Sequence, residues 1–567
     1  MNTKSCIVLS GLALALVGSV QADVKVNNIF GDHMVMPRDK PLRVWGTADA
    51  GESVSVTFAG QSLSCKADKD GAWAVKLSPM KANTVPQDLT IAGKNTLRIA
   101  DILVGDVWVC SGQSNMEFKL GSCKADADIK AADLPQIRWT WVPGHEGAQP
   151  MTEVPEKMTW RVMSPDNARG CCAVGFYFAR RINAETKVPI GVLGSAQGGS
   201  CIESWLSPEA IDNYPANADL AKRYHAAIDE WRDSLPIADL GKWIAAVDKS
   251  FVDHNIKVPS ALVALEKWQN AASAAVANKT DVPPPPDVDE LKKWIESQSI
   301  VLPLPVIPEI PGHPLLKPKW FPGAHLYNAR IAPLTQFPIK GILWYQGENG
   351  SGKLYYNRFK SMVETDRQKW QYEFPVYFVQ LPNVDEDKNT PEGDVVDGWP
   401  TTRMQQLKCL QIPKTGMAVT IDVGDPKDLH PTNKCDIGER LALWALAKDY
   451  GKKIVYSGPL YKGIQIKQGK IRISFDSIGG GLMIGKKDGL QPVVEDNGAK
   501  LQRFAIAGED KKWVWADAVI DGKTVVVSSP AVPKPVAVRY AYSVNPAGCN
   551  LYNKEGLPAS PFRTDDW

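Results

Sequence analysis

Residues 104–118 read V-G-D-V-W-V-C-S-G-Q-S-N-M-E-F. The stretch opens on an apolar run, and five further runs are similar, namely I-R-W-T-W-V (137–142), I-G-V-L-G-S (190–195), G-I-L-W-Y-Q (341–346), V-Y-F-V-Q-L (376–381) and M-A-V-T-I-D-V (417–423). Runs that do not alternate with polar residues suit strands covered on both faces, and here helical segments separate them. The pattern therefore predicts an α/β domain built on a parallel sheet. Such sheets gather functional groups where the carboxyl ends of the strands run into loops. Four segments stand at such ends: S-G-Q-S-N (111–115), S-A-Q-G-G-S-C-I-E-S-W (195–205), W-Y-Q-G-E-N (344–349) and D-P-K-D-L-H-P (425–431). Ser114 lies outside the G-x-S-x-G pattern of the common serine-hydrolase elbow, so alone it reads equally as a turn residue or a nucleophile.

On either side of this core the pattern changes. Short alternating runs such as V-S-V-T-F (54–58) and A-W-A-V-K-L (72–77) predict an antiparallel β-domain over 23–100. The α/β domain is expected over 101–450. A stretch at about 208–330, with helical pieces, P-P-P-P at 283–286 and a proline-dense run from Pro303 to Pro322, is expected as an insertion between two core strands. From 451 to 567 the alternating β pattern returns, with a hairpin signal at Asp521-Gly522, predicting a C-terminal β-sandwich.

The 567 residues exceed one typical domain, and a hydrophobic content of 44% permits a sizeable core. A net charge of +2, from 65 basic against 63 acidic residues, gives no basic stripe for nucleic acid. Residues 1–22 carry Lys4, an apolar run and Val20-Gln21-Ala22, the pattern of a secretory signal cleaved before Asp23, so the expected location is periplasmic or extracellular. No later run reaches the roughly 18 apolar residues of a membrane span. Nine cysteines remain after Cys6, an odd number, so at least one thiol is expected free or paired between chains. Without H-E-x-x-H, a phosphate-binding G-x-x-x-x-G-K-[ST] or a helix-opening G-x-G-x-x-G, neither a metal nor a nucleotide cofactor is expected.

A serine hydroxyl is a weak nucleophile until a base accepts its proton. Seven histidines are available, and only His430 follows the last core strand with carboxylates nearby, Asp425 and Asp428. Gly198-Gly199 permit close backbone approach at a strand end, and Gln346 offers an amide donor at another. Each has a plainer reading, as a surface histidine, a tight turn and a buried glutamine.

Taken in order, V-W-V-C-S-G-Q-S-N-M-E-F, G-G-S-C-I-E-S-W, W-Y-Q-G-E-N, D-P-K-D-L-H-P-T-N-K and the tail N-L-Y-N-K-E-G-L-P-A-S-P-F-R-T-D resemble the recurring blocks of the sialate O-acetylesterase family, within the SGNH-hydrolase superfamily. The resemblance runs from about residue 24 to the C-terminus, apart from the insertion. It implies an SGNH-type three-layer α/β/α domain and a serine esterase that removes O-acetyl groups from sialic acids on glycoconjugates. Residue by residue it implies Ser114 as nucleophile and His430 as general base. The amides of Ser114 and Gly199, or its neighbour Gly198, would face the oxyanion together with Gln346. Asn115, Glu348 and Arg403 would meet the sugar, Arg403 suiting an acidic one. Many relatives in the wider superfamily carry D-x-x-H, whereas position 427 here is lysine, so Asp428 is the expected acid and Asp425 its alternative. An acetylxylan-type polysaccharide is the other substrate the same chemistry would serve. A non-catalytic carbohydrate-binding protein, using some of the nineteen tryptophans as sugar platforms, is the reading from a different class.

Overall fold

The computed structural model describes residues 23–254, 258–298, 306–316, 323–350, 352–385, 390–393 and 398–567. The expected signal segment 1–22 and parts of the 303–322 proline run lie outside the described residues.

Seven strands form the core sheet: β1 (Thr96–Gly112), β2 (Leu134–Trp141), β3 (Arg161–Met163), β4 (Ile190–Ala196), β5 (Gly341–Tyr345), β6 (Val376–Val379) and β7 (Thr415–Ala418). Their spatial order is β3-β2-β4-β1-β5-β6-β7, parallel throughout except for the edge strand β3. Side chains alternate across a strand, and this alternation divides the core in two. Ile342, Trp344, Val376 and Phe378 join one apolar cluster with Phe359, Met362 and Trp370. Leu343, Tyr345, Tyr377 and Val379 join another with Phe176, Phe178, Ile437 and Leu441. The first cluster is closed by helix α2 (Tyr355–Trp370), and the second by α1 (Ala173–Thr186) and α3 (Lys434–Lys448). Both faces of the sheet are therefore covered, which is why its strands carry apolar runs with no polar alternation.

The expected boundary near residue 100 falls inside a single strand. The first half of β1 pairs antiparallel with Asn83–Ala92 and parallel with Val35–Pro37, and its second half pairs with β4 and β5. One 17-residue strand thus threads both modules, which share a continuous eleven-stranded sheet. The composition changes at residue 100 because the environment of the strand changes there, not because the strand ends.

The insertion builds helices at Ala218–Asp233, Ile237–Asp253 and Ser260–Asn278 around a small core of its own, with Trp231, Trp243, Phe251, Leu265 and Trp268. Beyond α3 the chain forms two four-stranded sheets and one three-stranded sheet, and an apolar cluster including Ile473, Phe504, Val527, Tyr540 and Phe562 joins them.

All nine described cysteines are free, and six of them are buried. Among the described residues no helix is long and apolar enough to cross a membrane, and no group of three or more His, Cys, Asp or Glu could hold a metal ion.

Candidate active site

The order of connections reverses beside β1, because the chain moves to one side of it for β2 to β4 and to the other for β5 to β7. A crevice opens at the carboxyl ends of strands at such a point. The end of β1 is shaped by Gly112, whose φ of +130° and close approach to the carbonyl of Tyr345 leave no room for a side chain: a Cβ there would lie 2.2 Å from that oxygen. The turn delivers Ser114 as the first residue of a four-residue helix, Ser114–Glu117.

From the loop after β7, His430 Nε2 reaches Ser114 Oγ at 2.8 Å. Behind it, Asp428 Oδ1 lies 3.2 Å from His430 Nδ1 and also accepts the backbone N–H of His430 at 2.8 Å. The D-L-H spacing makes this a local turn in which the carboxylate caps the residue it orients. Asp425, the alternative acid, turns instead to the backbone N–H of Lys427. The Asp428 side chain remains 58% exposed and that of His430 32%. The Phe118 ring lies nearly parallel to the imidazole, with centroids 6.2 Å apart.

An exposed carboxylate at 3.2 Å orients an imidazole less firmly than a buried one, and solvent screens the pair. Converting a buried triad acid to its amide costs about 10⁴-fold in kcat. For Asp428→Asn we expect a smaller loss, about 10- to 100-fold. Steady-state hydrolysis of 4-nitrophenyl acetate measures it, and a drop of about 10⁴-fold would contradict this reading of the exposed pair.

The loop after β4 brings Gly198 against Ser114, where a Cβ would sit 3.5 Å from the serine Cβ. Its N–H is already engaged, donating to Glu117 Oε2 at 2.7 Å. Gly199 adopts φ +73°, and its carbonyl accepts from Asn349 Nδ2 at 2.7 Å. Gly199 is thus held from its carbonyl side, and the hydrogen bond to Glu117 is made by the Gly198 amide.

Four residues expected at the oxyanion or the sugar take other partners. Gln346 is fully buried, and its Nε2 donates to the carbonyls of Asn349, at 2.8 Å, and Ser200, at 3.5 Å. It ties two loops together instead of facing an oxyanion. Asn115 is also fully buried. Its Nδ2 donates to Glu348 Oε1 and to the carbonyl of Leu429, and its Oδ1 accepts from Lys434 Nζ. Glu348 Oε2 is sealed from solvent, and burial raises the pKa of this carboxyl. Asn115 and Glu348 therefore form part of the wall beneath the histidine loop. Arg403 is buried and donates to the carbonyls of Leu381, Pro382, Ser543 and Val544, so its guanidinium clamps the C-terminal module to the loop after β6 instead of meeting a sugar.

Glu117, Asn349 and Lys434 do not stand out in the sequence. Each lies in or beside one of the strand-end segments, but their roles depend on partners 81, 150 and 319 positions away.

A family model described as carbohydrate esterase, sialic acid-specific acetylesterase, matches residues 104–239 and 297–447. The chain is 26% identical to the sialate O-acetylesterase of Mus musculus over 97% of both chains. It is also 26% identical to that of Homo sapiens, covering 92% of this chain and 88% of the human one. Among solved structures, a carbohydrate acetylesterase from Xanthomonas citri aligns with a TM-score of 0.71 and 31% identity, covering 96% of this chain and all of that one. The chain belongs to the sialic acid-specific acetylesterase family of carbohydrate esterases.

Proposed function

We propose that this protein is an exported serine esterase of SGNH type that removes O-acetyl groups from sialic acids on glycoconjugates through an acetyl-enzyme. The observation that carries the reading is the 2.8 Å contact between Ser114 Oγ and His430 Nε2 at the topological switch point, with Asp428 on the far ring nitrogen. Ser114 Oγ attacks the acetyl carbonyl while His430 Nε2 accepts its proton. The carbonyl oxygen becomes an oxyanion beside the amides of Ser114 and Gly199. Collapse breaks the ester bond, and His430 returns the proton to the departing sugar oxygen. A water molecule then loses a proton to His430 and attacks the acetyl-serine. Acetate leaves, and Ser114 regains its proton from the imidazole.

The acetylated sugar has a second reading, a neutral polysaccharide of the acetylxylan type. The position of Arg403 favours it, because the cation expected to meet a sialate carboxylate is buried against backbone carbonyls. The Xanthomonas citri relative is likewise named a carbohydrate acetylesterase, with no sugar acid specified. Acetate release from mono-O-acetylated sialic acids and from acetylated xylan decides between them. The sialate reading expects at least tenfold higher kcat/KM on the sialic acids, and the reverse preference overturns it. Export rests on the pattern in residues 1–22. Mass spectrometry of the protein recovered from its native compartment is expected to find Asp23 as the first residue.

A further inference from the structure

Lys434 is fully buried at the first position of α3. Both features are unfavourable to a lysine, since burial removes hydration from the ammonium and a helix N-terminus carries partial positive charge. Its ammonium donates to Asn115 Oδ1 at 2.5 Å and to the carbonyl of Pro431 at 2.7 Å. Asn115 in turn donates to the carbonyl of Leu429 at 2.9 Å and to Glu348 Oε1 at 2.5 Å. The carbonyls of the residues on both sides of His430 are therefore held by one buried network. One member of that network, Asn115, is the residue after the nucleophile. The Phe118 ring, which lies along the imidazole, is 4.7 Å from Lys434 Nζ.

We infer that Lys434, Asn115 and Glu348 form a positioning relay that fixes His430 against Ser114, doing through the backbone of the loop what the exposed Asp428 does only weakly through the ring. This inference rests on the serine-esterase reading above. Charge-assisted hydrogen bonds in a buried site are stronger and less screened than an exposed ion pair. Connecting the nucleophile's neighbour to both neighbours of the base sets the distance on which proton transfer depends.

Charge matters to the relay, so it carries a pH signature. Burial lowers the Lys434 pKa to about 8, against the carboxylates of Glu348 and Asp428, which raise it, and the Cys123 and Cys172 sulfurs also face the ammonium. Asn115, Phe118, Tyr345 and the carbonyl of Pro431 lie beside it without charge. As pH rises through about 8 the ammonium loses its proton and its grip on the loop weakens, so activity falls. The same group's contribution to stability moves the other way. From about 8 up to the ordinary lysine value of 10.5 the unfolded chain holds more protons than the native one, so this contribution rises with pH. Loss of activity in that window is thus not accounted for by this lysine unfolding the protein.

The test is the pH profile of kcat for 4-nitrophenyl acetate with the full-length wild type, Lys434→Met and Glu348→Gln. The wild type is expected to show an alkaline fall. Lys434→Met should lower kcat by roughly a hundredfold, with KM within about twofold, and should lack that fall. Glu348→Gln removes a carboxylate that holds the ammonium charged, so its alkaline fall should begin at lower pH. That shift keeps the inference open to test even where Lys434→Met does not fold. A Lys434→Met enzyme with wild-type kcat, or an unmoved alkaline fall in Glu348→Gln, overturns the relay. A wild type with no esterase turnover at all would overturn the underlying serine-esterase reading instead.

Discussion

Ser114→Ala is expected to lower kcat on an O-acetylated sugar by about 10⁴-fold or more, with unfolding behaviour matching the wild type. The side chain contributes one hydrogen bond to the fold, the 2.8 Å contact with His430, and sits at a helix start whose shape is set by Gly112 and not by the hydroxyl. Removing it takes away the atom proposed to form the acyl bond and leaves the sheet, the turn and the loops in place. A fluorophosphonate probe supplies a second readout: the wild type gains the mass of one adduct and the variant gains none. His430→Ala should resemble it in kcat, because nucleophile and base act as a unit and losing either costs about as much as losing both. Turnover retained by Ser114→Ala would remove the acetyl-enzyme mechanism, whereas a wild type without turnover or adduct would favour the carbohydrate-binding reading.

The second large effect concerns stability. Arg403→Ala is expected to destabilise the protein by about 3–5 kcal/mol, since it leaves several buried carbonyls without their donor at about 1–3 kcal/mol each, partly relieved by water. The guanidinium holds carbonyls from two segments, residues 381–382 after β6 and residues 543–544 of the C-terminal module. Without it those acceptors remain buried and lose a charged donor, and an uncompensated buried acceptor costs more than the net value of an ordinary hydrogen bond. Arg403→Lys should recover little, since an ammonium is a point donor and cannot span carbonyls on two segments as a planar fork does. Denaturant unfolding followed by tryptophan fluorescence measures the loss. If Arg403 instead met the sugar acid, both variants would keep wild-type stability while KM for the sialate substrate alone rose.

The parallel sheet was legible in the sequence because its cause is local and repeated. Runs such as 341–346 and 376–381 are apolar at nearly every position because both faces of each strand meet a helix layer, and α3 buries Ile437, Leu441 and Trp444 at the three- and four-residue steps of a helix face. The site was legible as four strand ends and not as an assembly. His430 stood out because it follows the last core strand with aspartates nearby. Other histidines also have carboxylate partners, His33 with Asp101 and His225 with Asp212, and only the folded chain separates these pairs from the one that meets a serine.

The sequence by itself determined the α/β core, the β-rich flanks and the residues that could perform acyl transfer, since apolar periodicity and side-chain chemistry are properties of neighbouring positions. The tertiary structure alone decided which of those residues touch. It chose Asp428 over Asp425 by the direction of a turn and engaged the Gly198 amide with Glu117. It also withdrew Gln346 and Arg403 into loop and module contacts. Finally, it joined Asn115 to Lys434 across 319 positions of chain. Hydrogen bonds are directional and short-ranged, so their partners are fixed only when distant segments are packed to within about 3 Å of one another.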